Sequence, residues 1–227
     1  MQASPPNYVY RAKAVAAAGK LSRPVSHSVG ELAKTELVNG AAGYHSARLD
    51  KYRYEEIYSF EAAYTQVTAS EDSQGNYNTL ATATVEKLNV LDILKVDRIT
   101  ARLVALHPPE DAKKKERPWI TPLGSEIIGL RVAGRVYDIP YPEGFQLDPD
   151  DLPDHGGWHK KGRPDYATPG YSFHVPRFGR VTCCRLAIEP DGGDSIHRLT
   201  MLNLRLGSPV DGGLQFAAID EDGSPPH

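Results

Sequence analysis

The sequence predicts an all-β protein, a single β-sandwich or short β-solenoid-like domain with an extended N-terminal arm and one long loop. Three observations lead there. Tyr52, Tyr54, Tyr58, Phe60, Ala62 and Tyr64 put large or apolar groups on one side, while Lys51, Arg53, Glu55, Ser59, Glu61 and Thr65 take the other. This is the period of two of a half-buried strand. The alternation returns from Lys95 to Leu106, with Ile99, Ala101, Leu103 and Ala105 against Arg98, Thr100 and Arg102; its β-branched content favours a strand over an amphipathic helix. The third observation is punctuation. Turn-forming groups such as Glu71-Asp72-Ser73-Gln74-Gly75-Asn76 and Pro190-Asp191-Gly192-Gly193-Asp194 separate the apolar segments at hairpin spacing.

Taken in order, residues 1–40 carry Pro5, Pro6 and Pro24 and the polar cluster Ser26 to Ser28, and read as an extended arm. Within them the run Ala12 to Ala18 reads as one or two helical turns capped by Gly19. The β-domain is expected over 41–206, with roughly eight to ten strands. Ser46 to Ser70 forms a tyrosine-rich strand pair, and Leu88, Val90, Leu91, Ile93 and Leu94 form an apolar ridge too dense for a surface loop. Glu126 to Val132 and Val136 to Ile139 read as a hairpin, with Gly134 supplying the positive φ of its turn. Residues 140–179 hold seven prolines and six glycines and read as one long loop, a length that in a compact domain points to a function or a partner. Arg180 to Glu189 and Ile196 to Leu206 are closing strands, and 207–227 is a flexible tail rich in Gly, Pro and acids.

A 227-residue chain with 40% hydrophobic and 24% charged residues has the balance of a globular domain with a real core. Its net charge of −3 argues against nucleic acid as a partner, and Lys113 to Lys115 and Lys160-Lys161 read as solvated loop charge. No stretch approaches the roughly 18 to 20 apolar residues of a membrane helix, so membrane insertion is not expected. Met1 to Arg11 lacks the basic-then-apolar order of a secretory signal. The expected address is therefore cytoplasmic, or secreted or cell surface if Met1 stands where a signal was removed.

Four segments together resemble a known family. They are Thr84 to Ala105, the hairpin Ile128 to Arg135, Gly179 to Thr182, and Leu199 to Leu206. In that order they are similar to the bacterial choice-of-anchor surface proteins, over about residues 40–206. The resemblance implies a secreted or surface-displayed β-rich domain without known catalytic residues. The chain departs from that pattern in its 140–179 insertion and in showing no signal, sorting motif or anchor helix.

Candidate chemistry gathers in the long loop. Asp148, Asp150, Asp151 and Asp154 bring oxygen density of the kind a Ca²⁺ ion needs, without the Gly and Glu positions of an EF-hand loop. His155, His159 and His174 with Asp154 offer nitrogen ligands for a transition metal only if helically spaced, which Gly156-Gly157 opposes. Trp158, Tyr166, Tyr171 and Phe173 offer faces to a partner surface or glycan, or pin the loop to the body. Asp191, Asp194 and Asp220 to Asp222 read as turn acids. Adjacent Cys183 and Cys184 would need a strained ring to join, so one thiol is expected to face the core and the other outward.

No nucleophile elbow, phosphate loop or Cys/His zinc pattern is present, so no catalytic residue and no cofactor is expected, Ca²⁺ apart. The favoured function is a non-catalytic structural or adhesive protein that contacts copies of itself, another surface protein or a glycan through arm and loop. A Ca²⁺- or carbohydrate-binding module is the rival reading. A hydrolase with spatially paired carboxylates comes third.

Overall fold

The computed structural model describes residues 8–24, 26–37, 40–109, 119–141, 169–191 and 194–221. They form two antiparallel sheets packed face to face, a two-layer β-sandwich. One sheet runs through β4 (Gly43–Tyr54), β5 (Tyr58–Glu71), β6 (Tyr77–Val90) and β7 (Leu94–His107) as a simple meander. Short strands β8 (Trp119–Thr121), β9 (Glu126–Ile128) and β10 (Arg131–Val132) line the free side of β7, and β11 (Arg135–Val136) pairs with β10. The other sheet has the order β12 (Tyr171–Val175), β13 (Gly179–Asp191), β14 (Asp194–Leu206), β15 (Gly212–Glu221), β1 (Ala12–Leu21), β2 (His27–Leu32), with β3 (Thr35–Glu36) also on β1.

Antiparallel meanders in two layers replace the solenoid alternative, and fifteen strands are described where eight to ten were expected. Two further expectations are corrected. The N-terminal segment is an interior strand rather than an arm with a helical turn: β1 pairs with β15 from Ala12↔Glu221 to Leu21↔Gly212. Tyr8 and Tyr10 are buried too, in a satellite cluster where Tyr8 stacks on Tyr77 at 4.4 Å and its hydroxyl lies 3.2 Å from His107 Nδ1. The C-terminal segment does not fray over 212–221, because β15 is held between β14 and β1 and its Phe216 and Ile219 are core residues. Both corrections share a cause: each segment's interior place depends on the pairing of β1 with β15, across the length of the chain, which no local pattern announces.

The layers meet through small side chains. Ala14, Ala16 and Ala17 of β1 are buried in the same core as Ala81 and Ala83 of β6 and Ala101 of β7. Cα atoms of β1 and β15 come within 8 Å of β6, closer than the ~10 Å usual between stacked sheets. Larger groups such as Phe216, Met201, Leu103 and Phe178 belong to the same buried core.

Each sheet also carries a line at which the alternation of its strands reverses. In β5 the buried set passes from Tyr58 and Phe60 to Ala63, Thr65 and Val67, and in β6 from Ala81, Ala83 and Val85 to Leu88 and Val90. The reversal falls at Lys51, Glu61, Lys87 and Asp97, which the flanking register sets side by side across β4 to β7. Lys51 and Lys87, on alternate strands, have φ of 52° and 53°. Left-handed residues inside a ladder act as β-bulges do, turning the strand so that the next side chain changes face. The second sheet repeats the device with Cys184 (φ 56°) on β13 and Ala217 (φ 51°) on β15. In the first sheet the line faces outward and is charged, and in the second it faces inward and is apolar.

Candidate functional site

The two open sides of the sandwich are each closed by a pair of stacked rings. On one side His27 of β2 stacks on Tyr54 of β4, centroids 3.9 Å apart and planes at 14°. On the other, Tyr137, just past β11, stacks on Phe173 of β12 at 4.6 Å and 9°. Tyr171 continues this second group, 5.7 Å from Phe173. The ladder fixes these positions: Tyr171↔Cys183 and Phe173↔Val181 hold β12 on β13, while the backbone N–H of Tyr137 donates to Leu130 O. Two apolar residues of these segments are exposed, Val136 at 71% and Tyr171 at 39%.

The structure thus divides the predicted aromatic contacts. Phe173 pins the strand it belongs to, and Tyr171 presents its ring outward. Residues 169–179 are not part of a long loop, since β12, the turn at 176–178 and the start of β13 form a hairpin there. His174 is exposed on that hairpin and sits across from Arg180. The acids Asp148, Asp150, Asp151 and Asp154, His155 and His159, and the aromatics Trp158 and Tyr166 all lie outside the described residues. Among the described residues no group of three or more His, Cys, Asp or Glu is placed to hold a metal ion. Val136 and Tyr137 were not singled out in the sequence, and their sole signal is the glycine hairpin they follow.

A shallow groove of about 260 Å³ opens on the outer face of the second sheet, lined by Lys13, Val15, Glu31, Arg198, Thr200 and Asp220, among others. Its cations already hold acids. Lys13 bonds Glu31, whose carboxyl is held below its usual range chiefly by that bond. Arg198 donates through Nε to Asp220 Oδ1 and through a terminal nitrogen to Glu189 Oε2, each at 2.8 Å. The turn acid expected at Asp220 is therefore a strand residue with a partner. Exposed ion pairs of this kind are worth little individually, and the groove reads as a neutralised surface.

Cys183 and Cys184 are both free thiols with no exposed surface, not one inward and one outward. The left-handed φ of Cys184 turns consecutive side chains to the same face. Burial pushes the Cys183 thiol up to about 12, and burial followed by the neighbouring Cys183 pushes Cys184 higher still. Neither is a nucleophile near neutral pH.

The fold and this surface define a two-layer antiparallel β-sandwich whose described surface carries a stacked aromatic seam. A family model described as Domain of unknown function (DUF8256) matches residues 8–162, and the chain belongs to that family. The match takes in β1 to β11 and stops short of β12 to β15. No curated protein and no solved structure matches the chain.

Proposed function

We propose that the protein is a non-catalytic structural module that assembles with copies of itself, its exposed aromatic seam serving as a contact surface. The observation that carries this reading is the seam at Val136, Tyr137, Tyr171 and Phe173. Rings locked by stacking lose little entropy on binding, and Val136, next in the chain to Tyr137 and 71% exposed, is apolar surface that gains by being covered. Aromatic anchors in such settings dominate interface energetics. The resemblance to surface-displayed β-proteins supports a cell-surface or secreted address for the assembly.

Sedimentation velocity tests the reading. The wild-type protein is expected to sediment above the 24.9 kDa of a single chain as concentration rises. Val136→Glu combined with Tyr171→Ser is expected to lower that mass while leaving the melting temperature unchanged. A wild type that stays monomeric, or a seam variant that assembles as wild type does, would overturn the reading in its general form or in its assignment to the seam.

A further inference from the structure

The structure assigns a second interaction surface, the N-terminal half of edge strand β4, to antiparallel pairing with β4 of a second copy of this chain. The inference rests on the assembly reading and names a different face from the seam. Among the described residues β4 ends its sheet and is paired on one side only, with β5, from Gly43↔Ala69 to Tyr54↔Tyr58. An unpaired edge presents a row of backbone donors and acceptors that fits another extended strand. Proteins commonly guard such edges with charge and with bulges. Here the guards crowd into the second half, at Asp50, Lys51 and Arg53, with the left-handed φ of Lys51 as the bulge. His27 also covers that half by stacking on Tyr54. Gly43, Tyr44, His45, Ser46 and Ala47 hold no acid, lysine or arginine, and Tyr44 is the most exposed aromatic among the described residues at 61%.

One register makes this half complementary to itself. With the two-fold axis at Ser46, serine faces serine on the outer surface and Tyr44 of each copy lies opposite Arg48 of the other. The Arg48 guanidinium is held along the strand by Asp50, at 3.0 and 3.1 Å from Nε, and its side chain is 66% exposed. A cation over a tyrosine face is attractive, and symmetry supplies the contact twice. On the inner face Leu49 meets Gly43 and His45 meets Ala47, each large group opposite a small one. An axis at Arg48 would instead set that arginine against its own copy, and like charges directly opposite are destabilising. Pairing that extended past Asp50 would meet the Lys51 reversal, where inner and outer faces exchange, so the self-complementary stretch ends there.

Ser46 is exposed, so charge placed there reads the edge without touching the core. Ser46→Lys and Ser46→Glu are each expected to lower the mass of the wild-type assembly, because each sets like charges opposite at the axis. An equimolar mixture of the two variants is expected to recover the wild-type mass, which only a Ser46-to-Ser46 juxtaposition produces. Unchanged melting temperatures verify that both variants fold. If either variant alone keeps the wild-type mass, or the mixture fails to recover it, the edge assignment is overturned while assembly through the seam stands. A wild type monomeric at every concentration overturns both.

Discussion

Lys87 on β6 stands directly across from Asp97 on β7, its Nζ 2.9 Å from Oδ1, at the point where both strands reverse their buried face. The opposite side of Asp97 is taken by Arg131, 3.3 Å from Oδ2. Lys51, Glu61, Lys87, Asp97 and Arg131 thus alternate in sign across five strands along the line of reversal. The bond from Lys87 is the main cause holding the Asp97 carboxyl below its usual range. The row has room for Asp97 because Gly129 stands beside it: a Cβ there would lie 2.0 Å from Oδ2.

Gly129→Ala is therefore expected to destabilise the protein in two ways. Its φ of 67° disfavours a side chain and the added methyl displaces Asp97 from its place between Lys87 and Arg131. Gly134→Ala, at φ 78° with open space around it, suffers the conformational cost alone. Chemical denaturation is expected to show a loss of about 1 kcal/mol for Gly134→Ala and roughly twice that or more for Gly129→Ala. Equal losses would mean that the packing against Asp97 contributes nothing.

Tyr10 and Tyr58 are expected to ionise late. Burial, then the nearby Glu71 and Tyr77, raises Tyr10 from 10.0 to about 12, and burial raises Tyr58 beyond the accessible range. The native state thus keeps a proton on Tyr10 that the unfolded chain releases near 10. Its contribution to stability is complete below pH 10 and disappears as pH rises through about 12. Absorbance of tyrosinate against pH should show Tyr10 and Tyr58 ionising only as the fold is lost. Early ionisation of Tyr10 and Tyr58 in the folded protein would contradict their burial.

Both cysteines are expected to resist alkylation in the native protein at mild alkaline pH and to react together in denaturant. Their thiols are fully covered and raised far above their usual range. Reagent uptake measured with and without guanidinium checks this. Rapid reaction of one thiol in the native state would restore the alternating reading, with one sulfur outward.

A fragment restricted to residues 8–162 is expected to show no cooperative unfolding. It keeps the whole first meander but deprives β1 of β15 and the core of Leu199, Met201, Leu202 and Phe216. The point substitution Phe216→Ala measures the same dependence more gently, at about 3–5 kcal/mol in a chemical melt. A fragment with a sharp native-like transition would show that the family segment folds without the closing strands.

The fold class was legible wherever a strand alternates for more than a few residues and turns back on its sequence neighbour. That holds for Gly43–Tyr54 with Tyr58–Glu71, for Leu94–His107, and for Gly179–Asp191 with Asp194–Leu206. β1 was not legible, because Val15, Ala16 and Ala17 are all buried and alanine favours a helix locally. The vicinal thiols misled for a related reason: the rule that successive side chains alternate holds only while φ stays extended, and Cys184 leaves that region. Tyr171 and Phe173 could be chosen from composition, but Val136 and Tyr137 gain their meaning from the edges of two different sheets meeting. The exposed half of β4 was not legible, since being last in a sheet leaves no mark on the residues.

The central claim is that the sandwich is an assembly module, and its mass in solution tests that most directly. Light scattering on the eluting wild-type protein, over a series of loading concentrations, is expected to show a mass that rises above that of one chain. A mass that stays at one chain throughout the series would contradict it.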